Sequence, residues 1–196
     1  MSTGDGSWDR VGQGTVPCPT KEPINEVSNM FFELYLTKIS SLQELKTLFV
    51  KIMKEVSSVV ETVDYPPKNK FTTSCEWATI FTDIRSYDLA FASEDYAMEL
   101  TCHIWFDIFS YQYELAVNSI MKIIGRFISI LDCDCVLTLD GGRTLLVRRN
   151  GKISVNGSKS RDLPYELIGY PFVEEDLSKQ YDQLHGTGDG SMSRRS

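Results

Sequence analysis

Residues 96–109 read Tyr-Ala-Met-Glu-Leu-Thr-Cys-His-Ile-Trp-Phe-Asp-Ile-Phe, a period-two pattern that predicts a β-strand. Successive strand side chains point to opposite faces. Tyr96, Met98, Leu100, Cys102, Ile104, Phe106 and Ile108 therefore share one side, and Glu99, Thr101, His103, Trp105 and Asp107 the other. The first set can seal a core, while the second is too polar to be buried without partners. Residues 77–85 repeat the design, with Ala78, Ile80 and Ile84 opposed to Trp77, Thr79, Phe81, Asp83 and Arg85. Two such neighbours predict a sheet covered by helices on one face only. The other face is then open, aromatic and acidic.

The remaining elements follow from periodicity and turn chemistry. Phe32, Leu34 and Leu36 alternate with Glu33, Tyr35 and Thr37, which predicts a first strand from Met30 to about Ile39. Ser41 and Glu44 form a capping box for a helix whose apolar stripe runs Leu42, Leu45, Phe49, Ile52, Met53, Val56, Val60. The segment from Asp64 to Ser74 reads as a polar loop, and Ser93-Glu94-Asp95 as a turn between the two organising strands. A second helix is expected from about Tyr111 to Leu131. Leu115, Ile120, Ile123, Ile124, Phe127, Ile130 and Leu131 form its buried side, and Gly125 allows close approach to the sheet. Strands over Cys135–Leu139 and Arg143–Arg149 join through Gly141-Gly142, and Asn150-Gly151 leads into a further hairpin strand, Lys152–Val155.

This order predicts an α+β fold of the ferredoxin-like, split β-α-β kind. The sheet would be mainly antiparallel, with two helices on one face, the first and third strands side by side in the centre, and an added C-terminal hairpin. Residues 1–28 read as a flexible arm, 29–177 as one domain and 178–196 as a flexible tail. The apolar patch from Leu163 to Val173, broken by Pro164 and Pro171, is expected to lie along the domain with little regular structure.

Charge narrows the function classes. The net charge is −7, and residues 76–107 alone carry seven acids against Arg85, a net of −6. Such a field repels nucleic acid and steers basic partners in. Five cysteines, an odd number with Cys102 on the predicted core face, fit a reducing, cytoplasmic setting. No apolar run approaches the length of a membrane span.

No catalytic or metal motif competes with the open face. Cys133-Asp134-Cys135 and Cys102-His103 have poor spacing for zinc, and alternation points Cys102 and His103 to opposite faces, so no metal or cofactor is expected. His103 and Asp107 share a strand face and form the one conceivable acid/base pair, with His103 read as a surface ring near Trp105. That pair supports an alternative reading, a small enzyme or ligand-binding protein working through His103, Trp105 and Asp107. Arg148, Arg149 and Lys152 read as a solvated basic edge. The candidate binding residues are Tyr35, Trp77, Phe81, Asp83, Glu99, His103, Trp105 and Asp107. A competing structural reading has the C-terminal patch folding over these aromatics as a second small core.

The strand Leu-Thr-Cys-His-Ile-Trp-Phe-Asp and the later Asp-Cys-Val-Leu-Thr-Leu-Asp-Gly-Gly-Arg-Thr-Leu-Leu-Val-Arg-Arg-Asn-Gly-Lys-Ile-Ser-Val-Asn resemble a family of bacterial immunity proteins from contact-dependent swarming-inhibition toxin systems. The resemblance covers residues 30–157. It implies a non-enzymatic cytoplasmic protein that neutralises a cognate protein toxin by binding it. The acidic middle segment adds the expectation that this toxin is basic.

Overall fold

The computed structural model describes residues 30–65, 69–84, 87–157 and 163–177. The arm (1–28) and the tail (178–196) expected from composition lie outside the described residues. Nine strands form one sheet: β1 (Phe31–Leu36), β2 (Glu61–Tyr65), β3 (Lys70–Ser74), β4 (Ala78–Asp83), β5 (Cys102–Ile108), β6 (Cys135–Leu139), β7 (Arg143–Arg149), β8 (Lys152–Asn156) and β9 (Phe172–Glu175). Among the described residues three α-helices accompany them: α1 (Leu42–Val56), α2 (Tyr87–Asp95) and α3 (Tyr113–Leu131). The sheet order is β2-β3-β4-β5-β1-β6-β7-β8-β9. Every pairing is antiparallel except β8–β9.

The mainly antiparallel α+β class is as expected, and the first strand neighbours the strand carrying Trp105 as expected, the two running antiparallel. What differs is an added pair of strands and an added helix, α2. The segment read as a polar loop is the β2–β3 hairpin, which extends the sheet beyond β4 and makes β2 to β5 a four-stranded meander. Its alternation is hard to recognise because β3 carries only Phe71 and Thr73 inward and β2 is almost wholly exposed.

Helix α1 starts where the capping residues place it. The Ser41 hydroxyl accepts from the Glu44 amide at 3.2 Å, while the Glu44 carboxylate accepts from the Ser40 amide at 3.2 Å, one residue off the usual reciprocal box. Helices α1 and α3 cover one face of the sheet. Phe49 and Phe127 stack there at 6.3 Å over Phe32, Leu34, Ile104, Phe106 and Leu137. Two positions expected on the buried side of α3, Leu115 and Ile130, are instead exposed.

The opposite face is not left open throughout. Helix α2, in a stretch expected to be strand and turn, packs Leu89 and Ala92 against Tyr35, Val136 and Val147. Tyr96, Met98 and Leu100 follow in turns and join this second cluster, so the predicted strand begins only at Cys102. With just Leu89 and Ala92 buried, α2 shows almost no helical stripe in sequence.

The C-terminal patch does not fold over the aromatics. A 3₁₀ turn, Tyr165–Ile168, docks on the helix side, where Tyr165 Oη donates to the Leu145 carbonyl at 3.1 Å. Strand β9 then covers β8. Gly125 serves this docking rather than contact with the sheet, since a Cβ on it would overlap the Ile168 carbonyl oxygen. Gly125→Ala should therefore dislodge the turn and cost about 1–3 kcal/mol, the usual range for overpacking. Denaturant unfolding with hydrogen exchange at residues 165–168 tests this. Unchanged protection there would refute it.

Of the predicted solvated basic edge, Arg149 and Lys152 are exposed as expected but Arg148 is not. Arg148 is buried and donates to the Cys133 carbonyl and to Asp132, both at 2.5 Å. Arg149 donates to the Tyr96 carbonyl, and Lys152 pairs with Glu175 at 2.6 Å. The Asn150-Gly151 turn is as expected, with φ positive at both residues (51° and 81°), as a type I′ hairpin requires.

Candidate functional site: the uncovered half of the second sheet face

Register decides which side chains share the second face. One cross-strand row runs Val63, Thr72, Phe81, Trp105, Glu33, Thr138. A second runs Tyr65, Lys70, Asp83, His103, Tyr35, Val136, and a third Glu61, Ser74, Thr79, Asp107, Phe31. Helix α2 buries the β1–β6–β7 end of these rows and leaves the β2-to-β5 end uncovered.

The uncovered half is aromatic. Trp105 stands 40% exposed between Phe31, at 5.3 Å, and Phe81, at 5.9 Å, both rings tilted against it. Phe81, Val63 and Tyr65 are likewise exposed. On α2, Tyr87 and Phe91 are exposed and meet edge to face at 5.1 Å. Monomers seldom leave such a patch without use.

Of the expected binding residues, Phe81, Asp83, Trp105 and Asp107 come together on this half. The other four do not. Trp77 is wholly buried in the main core, stacked on Phe106 at 6.3 Å, with Nε1 donating to Ser57 Oγ at 2.8 Å. It precedes the first β4 residue, so alternation does not reach it, and both Trp77 and Ala78 point inward. Tyr35 is buried under α2, and Glu99 lies in the loop before β5, lining a separate recess with Lys38, Asp134 and Arg149.

His103 is the clearest correction. It is 6% exposed and stacks flat on Tyr35 at 4.6 Å rather than beside Trp105, with Nε2 3.5 Å from the Glu33 carboxylate. His103 beside it holds the Glu33 carboxyl below the usual carboxylate range, against the opposing effect of burial, and Thr138 Oγ1 donates to the same group at 3.1 Å. A carboxyl depressed in the folded state stabilises above its unfolded pKa, and that contribution fades as pH falls through the folded value. Glu33→Gln should therefore flatten the acid limb of the stability profile, read by melting from pH 7 down to pH 3. A variant as acid-sensitive as the parent would show that Glu33 carries no such linkage.

Three contributors escaped the sequence pattern. Phe31 was available from the Phe31-Phe32 pair, since two adjacent strand residues cannot both face the core. Val63 and Tyr65 lie on the unrecognised hairpin.

Four of the five cysteines, Cys75, Cys102, Cys133 and Cys135, are free and buried, and burial pushes the Cys133 thiol up to about 11. Among the described residues no group of three His, Cys, Asp or Glu side chains is placed to hold a metal ion, and no helix is long and apolar enough to cross a membrane.

Fold and face together define an α+β protein built on one almost wholly antiparallel sheet, with an uncovered aromatic surface. The chain belongs to the SitI3-like family, whose model matches residues 30–161, more than half of the sequence. SitI names denote swarming-inhibition immunity proteins, in agreement with the resemblance carried by residues 30–157. No curated protein and no solved structure matches the chain.

Proposed function

We propose that this protein is a cytoplasmic immunity protein that binds a cognate toxin domain and neutralises it by occlusion, without catalysis of its own. The observation that carries the reading is the uncovered cluster Phe31, Phe81 and Trp105, flanked on the same face by Asp83 and Asp107. Aromatic anchors ringed by polar groups are the usual make-up of a protein-binding hot spot. The acidic surround favours a basic toxin, such as a nuclease, whose phosphate-binding surface it would engage. The alternative, chemistry at His103 with Asp107, has little support. A substrate would have to displace Tyr35 or Glu33 to reach that ring.

Co-expression with the toxin domain expected to be encoded beside this gene tests the reading. Rescue of growth and a stable complex are the expected results. Without rescue and without a complex, the immunity reading is abandoned.

A further inference from the structure

The two edges of the sheet differ in character. Strand β9, at one end, places the adjacent acids Glu174 and Glu175 after Phe172 and Val173. Strand β2, at the other, reads Glu-Thr-Val-Asp-Tyr, and among the described residues no strand lies along its outer side. Such an edge presents unpaired N–H and C=O groups, which proteins commonly blunt with lysine, proline or a bulge. None of the three occurs within Glu61–Tyr65, and all five residues pair with β3 in unbroken register. Val63 and Tyr65 are 56% and 45% exposed, while Asp64 is held from α1 by Lys46 Nζ at 2.6 Å.

This strand is complementary to itself. Turned antiparallel about a two-fold axis through Val63, it sets Val63 against Val63 of a second copy, Glu61 against Tyr65, and Thr62 against Asp64. On the aromatic face, a Tyr65 hydroxyl then meets a Glu61 carboxylate on either side of the valine pair. On the helix face, the Thr62 hydroxyl can donate to Asp64 and still accept from Thr73 Oγ1, 3.4 Å away. Every carboxylate thus meets a hydroxyl donor, and no acid meets an acid. Shifting the pairing by two residues destroys this, since Asp64 then faces Asp64, or Glu61 faces Val63. A shift of one residue would put the two aromatic faces on opposite sides. Strand β9 fails the same comparison, because its antiparallel self-pairing sets both acids against Phe172 and Val173.

We infer that β2 is a self-association edge, pairing in this register with β2 of a second copy of the chain. The axis is normal to the sheet, so both aromatic faces look the same way. The row Val63, Thr72, Phe81, Trp105 then continues across the axis into its counterpart. Five paired residues a side make a small contact, so the dimer is reversible rather than obligate. The inference does not depend on what the aromatic face binds.

Sedimentation equilibrium of the full chain over a wide concentration range tests it, and a concentration-dependent monomer–dimer equilibrium is expected. Val63→Asp brings two carboxylates together at the axis and should weaken the dimer about tenfold. Tyr65→Lys sets an ammonium against Glu61 of the other copy, twice by symmetry, and should strengthen it about fivefold. Tyr65→Glu sets acid against acid at the same two places and should weaken it. These positions are exposed, and circular dichroism with thermal melting verifies that each variant stays folded. In a mixture of methyl-labelled and unlabelled chains, filtered NOEs should connect Val63 to Val63 and Glu61 to Tyr65 of the other copy. A chain that is monomeric at every concentration overturns the inference, as does any other ranking of parent, Tyr65→Lys and Tyr65→Glu. If the β2 amides of a monomeric chain gain hydrogen-exchange protection only when the toxin domain binds, a toxin strand occupies this edge instead, and the inference falls.

Discussion

Truncating Trp77 to alanine should cost the fold about 3–5 kcal/mol, the range found when a large aromatic is deleted from a packed core. The indole is fully buried, stacks on Phe106 and spends its one N–H on Ser57 Oγ, the residue that ends α1. Alanine would leave a void beneath β4 and β5 and orphan the link between α1 and the sheet. Domains of this size are stable by about 5–15 kcal/mol, so the variant should sit near the edge of folding. Trp77→Phe keeps most of the volume and loses the hydrogen bond, and should be clearly milder. Urea unfolding of the two variants checks the ranking. If Trp77→Ala melts like the parent yet loses toxin binding, Trp77 belongs to the contact surface after all.

That prediction reverses the role alternation assigned to Trp77, and the reversal shows where sequence patterns stop being informative. Period two is enforced only inside a paired ladder. Within β5 it placed Cys102, Ile104, Phe106, Trp105 and Asp107 correctly. It was carried too far at both flanks, into the bend at Trp77 and into the α2 turn from Tyr96 to Leu100. The helices α1 and α3 were legible because each buries a long apolar stripe, helped at α1 by the Ser41 cap. Helix α2 was not, because a nine-residue helix needs only Leu89 and Ala92 to dock, and tertiary packing supplies what its own pattern lacks.

The same missing helix explains the mixed outcome at the candidate site. His103 looked like a surface group because its strand face is polar in sequence. Only once α2 closes over Tyr35 does that half of the face become interior, with Glu33 placed to meet the imidazole. Polar residues on an alternating strand thus mark the face opposite the main core. They do not say whether another element covers it.

Trp105→Ala, by contrast, should weaken toxin binding by about 2 kcal/mol or more, near thirtyfold, while leaving the fold nearly intact. The ring lies between Phe31 and Phe81 with two-fifths of its surface still exposed, so truncation removes aromatic contacts but opens no closed cavity. The stability loss should stay near 1 kcal/mol, the scale of such partly exposed aromatic pairs. Asp107→Lys, two residues along the same face, should act differently: it reverses one charge of the steering field, so association slows and its salt dependence shrinks, with dissociation little changed. Stopped-flow kinetics at two ionic strengths separates the two effects, and thermal melting reads stability independently. Should Trp105→Ala unfold the domain while Asp107→Lys leaves association untouched, the aromatic face is a structural surface. The toxin must then dock on the α1–α3 side or along the exposed edge of β2, the outermost strand at that end of the sheet.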